Sequence, residues 1–314
     1  MSELNVLKYD PEQKCSWNDF VSNAKNGLFL FQRDYMDYHS DRFEDCSLLF
    51  FEDERLRAIM PANRQADALI SHGGLTFGGV LSDSRMNVEL MLKVFDALKS
   101  YLRERGVGKV IYKAVPHIYH RLPSEEDLYR LYRHRAPLVR RDISSTIDLK
   151  VRLPFTKGRK WGMNKARQQG LEVARSFDFG AFMKLEEQVL GSKYDAKPVH
   201  TGEEMAKLAG RFSDQIKLFT AGLKGEMMAG VIIYESENVA HAQYIAVTEE
   251  GRRSCALDAI IGFLLNDYYS AKKYFDFGIS TEQDGRYLNT GLIENKQSYG
   301  ARAIVHDFYQ LDLT

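Results

Sequence analysis

Apolar and polar positions along this 314-residue chain fall into the same order twice. In the first half, SLLFF (47–51) and LRAIMPA (56–62) flank the turn signal EDER, which predicts a hairpin. ALISHGGLTFGGVL (68–81) follows, and its four glycines predict a strand broken by a loop where backbone comes close to something. Residues 86–105 then place Val88, Met91, Val94, Phe95, Leu98 and Leu102 on one helical face, with Gly106 and Gly108 as the stop and KVIYKAV (109–115) as the next strand. The second half repeats this. IKLFTAG (216–222) and MMAGVIIY (227–234) flank LKGE, VAHAQYIAV (239–247) is a third strand, and TEEGRRS interrupts. Residues 254–270 put Leu257, Ile260, Ile261, Leu264 and Tyr268 on one face, and KYFDFGI (273–279) is the closing strand. The match lies in element order and not in residue identity, which points to a structural duplication.

Capping boxes are read at Ser16/Asp19, with Gly27 stopping that helix, and at Ser124/Asp127. Trp17, Trp161, GLFLF (27–31) and Met227–Met228 are read as core. The texture between the halves is basic: five Arg and no acid from Arg130 to Arg141, then seven Lys or Arg and no acid from Lys150 to Arg167. The second stretch reads as a helix stopped by Gly170. It is either a solvated basic face or a phosphate-attracting seam where the halves meet, since one sign of charge in a cleft concentrates anions.

The bulk numbers narrow the class. Hydrophobic content of 44% and charged content of 27% are those of a globular chain, long enough for two domains. The 43 basic and 43 acidic residues cancel, which argues against a DNA-coating protein. Three cysteines without metal-like spacing suit a reducing compartment. The first residues show no signal-peptide pattern, and no apolar run approaches the roughly 20 residues that span a bilayer. A cytoplasmic protein without a transmembrane segment is expected.

Strand, strand, small-residue turn, helix, strand is the order of the GNAT acyltransferase fold. Two copies, the basic RKWGMNKARQQGLEV (159–173), and the run from YFDFG (274–278) to GLIENKQSYGA (291–301) together resemble the FemABX-like tandem GNAT transferases. The matching residues are Arg159, Asn164, Lys165, Ala166 and Gly170, then Asp276, Phe277, Gly278, Lys296, Tyr299, Gly300 and Ala301. Asn295 departs from that pattern, which has an aromatic residue before the lysine. The resemblance implies an α/β (α+β) fold of two tandem GNAT-like domains, 1–150 and 151–314, each a mixed, mostly antiparallel sheet flanked by helices. It also implies that the last strand, within 302–314, crosses back onto the first domain. The implied activity is transfer of an acyl or aminoacyl group to an amine.

Such chemistry asks for a neutral amine, a positioned carbonyl, donors for the oxyanion and a proton for the leaving group. It needs no metal, and the eight histidines show no ligand spacing. Lys296, in a polar loop, is either a solvated lysine or the cation that stabilises the oxyanion. Tyr299 is a candidate proton donor. Of His241 and Tyr244, strict alternation puts only one toward the site, and Tyr244 is preferred. Acyl-CoA, as co-substrate and not as a resident cofactor, would lie against Val247 and the turn of Arg252, Arg253, Ser254, Cys255 and Ala256, where small residues let pyrophosphate approach a helix N-terminus. An ordinary helix start capped by Ser254 is the bland alternative, and Cys255 is read as packing. Arg159, Lys165, Lys113, His117 and Tyr119 are candidate substrate contacts. His72 is a candidate base and Asp83 a candidate to orient the amine or to cap the next helix. Three functions remain open: an N-acyltransferase acting on a cell-envelope or nucleotide-linked amino-sugar precursor, an aminoacyl-tRNA-dependent transferase, and a GNAT pair that only binds. The small-molecule donor and acceptor are favoured over tRNA, which wants a broad basic surface.

Overall fold

The computed structural model describes residues 4–39, 42–194 and 197–313. The chain divides into two compact units. Unit 1 comprises Met1–Asp142, Thr281–Tyr287 and Val305–Thr314; unit 2 comprises Ile143–Ser280 and Leu288–Ile304. The division falls inside a long strand at Asp142, earlier than residue 150, and the C-terminal segment belongs to unit 1.

Unit 1 opens with β1 (Leu4–Lys8), α1 (Lys14–Asn23) and α2 (Arg33–Met36). The strands β2 (Glu44–Asp45), β3 (Leu48–Glu52), β4 (Arg55–Met60), β5 (Asn63–Gln65), β6 (Ala68–Ile70) and β7 (Leu81–Ser82) follow. Next come α3 (Val88–Arg103), β8 (Lys109–Lys113), α4 (Glu126–Arg133) and the first residues of β9 (Leu138–Asp148). The predicted hairpin is β3–β4, which forms a four-stranded sheet in the order β1-β3-β4-β7. The glycine-rich stretch does break. Its first part, β6, pairs parallel with β8 in a second sheet, and its end, β7, pairs with β4. The apolar face of α3 fills the space with Leu48, Phe50, Met60, Leu69 and Val110.

Two predicted helix starts are corrected. Asp10 and Gln13 form the capping box, one turn ahead of α1, while the Ser16 hydroxyl donates back to the Gln13 carbonyl. The helix ends at Asn23, before Gly27. Asp127 does not cap α4; its buried carboxylate accepts the Tyr112 hydroxyl at 2.6 Å.

Unit 2 carries α5 (Lys157–Gln168), β10 (Glu172–Ser176), α6 (Phe179–Tyr194) and α7 (Gly202–Arg211). Then come β11 (Ile216–Leu223), β12 (Glu226–Glu235), β13 (Val239–Val247), α8 (Glu249–Arg253), α9 (Ala256–Phe263), β14 (Tyr274–Ile279) and α10 (Thr290–Gln297). Its strands run β10-β11-β12-β13-β14 and then the end of β9, antiparallel except for β13 beside β14. One sheet face buries Ala229, Val231, Ile233, Ala240 and Phe275 under α9. The other receives α6 and α7: Phe182 sits where a Cβ on Gly230 would be, and the Tyr234 hydroxyl meets the Met205 sulfur. Lys296 lies in helix α10, not in a loop.

Candidate active site

Parallel strands β13 and β14 pair only over Val239–His241 and Tyr274–Asp276; β13 then runs on to Val247 without β14. His241 and Asp276 are therefore the last opposed pair before the strands part. A bulge in β13 decides where its side chains point. His241 pairs with Tyr234, Ala242 with Ile233 and Tyr244 with Ile232, leaving Gln243 as the extra residue. Since Ile232 and Tyr234 share a sheet face, His241 and Tyr244 share it too, contrary to strict alternation.

Asp276 has no exposed surface. Its Oδ1 accepts the hydroxyls of Ser144 (2.6 Å) and Thr146 (2.7 Å), and its Oδ2 lies 2.7 Å from His241 Nδ1. A buried carboxylate is costly unless hydrogen-bonded, and here each oxygen is satisfied. The His241 side chain keeps 21% exposure.

Gly278 joins this pair to Lys296. Its φ of +76° is left-handed, and a Cβ there would stand 3.3 Å from His241 Cε1. Glycine removes both the strain and the contact. Lys296 is buried, and its ammonium donates to the carbonyls of Gly278 (2.9 Å) and Ile279 (2.7 Å). An ammonium has three N–H groups, and the third has no partner among the described residues. Burial brings the Lys296 pKa down to about 8, against the opposing pull of the Asp276 charge. At neutral pH Lys296 is mostly a cation with one donor to spare. Asn295 is exposed on the outer side of α10, so it packs nothing around the lysine.

Other predicted residues of unit 2 lie elsewhere. Tyr299 is buried, its hydroxyl 2.5 Å from Asp258 Oδ1, and Arg159 completes the group with a 2.7 Å bond to the same oxygen and its guanidinium 4.1 Å over the Tyr299 ring. Burial holds the phenol far above its usual range. This network ties α5 and α9 to the turn that follows α10, and it commits the Tyr299 hydroxyl and the Arg159 guanidinium to Asp258. Tyr244 is likewise buried, its hydroxyl 2.6 Å from His200 Nδ1. Val247 is half-buried at the end of β13. Arg252 and Arg253 are exposed, and Ser254 caps no helix start: its hydroxyl donates to the Glu250 carbonyl at 2.9 Å. Cys255 takes a left-handed φ of 60°, its thiol pushed up by burial, and Ala256 begins α9 with no side-chain cap before it. Lys165 lies 5.0 Å from the ring of Trp161, which is exposed and not core.

In unit 1, a cavity of about 880 Å³ is lined by Arg42, Arg64, Lys113, Arg140 and Arg286, with Glu44 and Asp284 as its acids. Lys113 donates to the carbonyls of His72 (2.9 Å) and Leu75, and burial, with the Arg140 charge, brings it to about 8. His72 does not suit a base. Although the residue keeps some exposure, both ring nitrogens are shielded without a hydrogen bond among the described residues, and burial lowers its pKa to about 3. Asp83 is held by Arg57 at 3.0 Å, and Asn87, not Asp83, caps α3. His117 is exposed, and Tyr119 is buried against Phe77 with ring centroids 4.7 Å apart.

Sequence reasoning undervalued His241 and missed Glu186. Glu186 lies one helical turn beyond Phe182 on α6, which packs against β13. Its carboxyl is buried with Oε2 unpartnered among the described residues, and burial raises it to about 7. A glutamate at the spacing of a buried phenylalanine was the available signal. Among the described residues, no group of three or more His, Cys, Asp or Glu is placed to hold a metal ion. No helix among them is long and apolar enough to cross a membrane.

Comparison with solved structures places the fold. The chain superposes on FemX with a TM-score of 0.68 at 10% identity, covering 98% of this chain and 97% of that one. L-PGS from Bacillus licheniformis matches with a TM-score of 0.62 at 13% identity over 96% and 91% of the two chains. A conserved protein of unknown function from Bacteroides thetaiotaomicron matches with 0.57 at 10% identity over 99% and 100%. No protein-family model and no curated protein matches the sequence. The architecture is the FemX-like fold that the sequence implied: mixed, mostly antiparallel sheets flanked by helices.

Proposed function

We propose that the protein transfers an acyl or aminoacyl group to an amine, with the cluster at the β13/β14 parting as its reaction centre. The observation that carries this is Lys296: a buried cation, pinned by two carbonyls, with one N–H left for a developing oxyanion. Holding the ammonium in advance avoids reorganisation at the moment of reaction. The similar structures lend support through their names: FemX, L-PGS, and the C-terminal domain of a putative lysylphosphatidylglycerol synthetase from Agrobacterium fabrum.

The donor of first choice is acyl-CoA, held at Val247 and at the start of α9 by Arg252–Ala256. The acceptor of first choice is the amino group of a phosphate-bearing cell-envelope or amino-sugar precursor. A second reading keeps the chemistry and replaces the thioester by aminoacyl-tRNA. It is favoured by the turn itself, where Cys255 fills the left-handed position and the Ser254 hydroxyl closes back on Glu250, leaving less room for pyrophosphate than glycines would. Thermal shift separates the two: a donor at a hundredfold excess over Kd stabilises by about 2.7 kcal/mol. Acyl-CoA is expected to shift Tm. A shift with aminoacyl-tRNA alone would replace the donor, and a shift with neither would overturn the reading.

A further inference from the structure

We infer that His241, oriented by Asp276, is the residue that moves the proton in this reaction. The inference rests on the transferase reading and adds a base that nothing in the family resemblance assigned.

Three observations converge. Nδ1 is committed to the Asp276 carboxylate at 2.7 Å, which fixes the ring and selects the tautomer whose Nε2 carries the lone pair. Asp276 is itself immobilised by Ser144 and Thr146, so the imidazole is held by a group that cannot swing away. Nε2 makes no hydrogen bond among the described residues, while the side chain keeps 21% exposure. A structural histidine, such as His120 with its Nε2 on the Val115 carbonyl, spends its ring on the fold. His241 spends one nitrogen and leaves the other free.

The position supports the role. Gly278 separates the imidazole edge from the Lys296 ammonium, so base and cation flank one residue. In the step this assigns, the amine nitrogen attacks the acyl carbon and forms the C–N bond. The carbonyl oxygen becomes an oxyanion beside Lys296, and the N–H proton passes to His241 Nε2. Collapse then breaks the bond to the leaving group, and His241 returns the proton to the thiolate, or to the ribose oxygen if the donor is aminoacyl-tRNA. Amine and donor give amide and protonated leaving group, with no other reactant. The charged and titratable groups around the imidazole are Asp276 on β14 and Lys296 on α10, with Tyr244 on its own strand and Glu186 on α6 sharing the sheet face.

His241→Asn tests it, because the asparagine amide can still donate to Asp276 but offers no base. With the donor that shifts the wild-type Tm and a panel of amine acceptors, kcat is expected to fall by about a hundredfold or more. The donor's Tm shift should persist. His241→Ala should regain rate on adding imidazole. A His241→Asn rate within threefold of wild type, or a His241→Ala variant that imidazole does not rescue, would overturn the inference and leave the transferase reading standing. A wild type that transfers nothing from either donor would overturn both.

Discussion

Each unit buries one lysine and pins its ammonium to two backbone carbonyls, Lys113 to His72 and Leu75, Lys296 to Gly278 and Ile279. Burial brings both to about 8. What differs is the company. Lys113 lines a cavity with four arginines, and the Arg140 charge lowers it further. Lys296 lies by the Asp276 charge, across one glycine from a half-free imidazole. On the proposed function, the same backbone device serves two chemistries. A cation among cations attracts an anion and holds it. A cation beside a base and an acid is placed to stabilise charge that appears and disappears.

If the two lysines are equivalent in the fold, they must share one stability signature. Their folded values near 8 lie below the unfolded value of 10.5. Between those pH values the unfolded chain holds a proton that the folded chain has lost, so stability rises with pH there. Each lysine contributes roughly 3 kcal/mol to that rise at the usual 1.36 kcal/mol per unit. Lys113→Met and Lys296→Met should each flatten part of it in urea titrations from pH 8 to 10.5. An effect from only one would break the structural equivalence.

The buried acids sharpen the contrast at lower pH. Asp127 in unit 1 is raised to about 6 but receives the Tyr112 hydroxyl and the Leu128 N–H, whereas Glu186 in unit 2 is raised to about 7 with Oε2 bare. An acid whose folded pKa is raised stabilises fully below its unfolded value and loses that stability as pH rises through the folded one. For Glu186 the loss runs from about 4.5 to 7 and amounts to at most roughly 3 kcal/mol. Glu186→Gln should abolish its share, leaving the variant more stable than wild type at pH 8. A variant less stable than wild type there would show that the charged carboxylate has a partner.

Much of the fold was written in the pattern of apolar positions: both hairpins, the long helix α3 and the closing strands β8 and β14. The catalytic assignment within it was not. Alternation along VAHAQYIAV places His241 and Tyr244 on opposite faces, and no residue in that run announces the bulge at Gln243, which arises from pairing with β12. His241 matters because Asp276, 35 positions later, reaches it across a parallel register. Tyr299 and Arg159 carry the family's pattern, yet packing commits both to Asp258. Lys296 was legible from its motif, but its burial and its helix were not. Glu186 and Trp161 invert the usual expectation, a carboxyl inside and an indole outside, and only the tertiary contacts of their helices decide that.

The most direct test is acyl or aminoacyl transfer by Lys296→Met and Lys113→Met measured side by side with the wild type. Loss of Lys296 should lower kcat by about a hundredfold to a thousandfold, the range for removing one oxyanion donor. Loss of Lys113, in unit 1, should leave kcat within about threefold, since it makes no contact with the transition state in this account. Equal losses of kcat in both variants, or a Lys296→Met enzyme as fast as wild type, would contradict the assignment of the chemistry to unit 2.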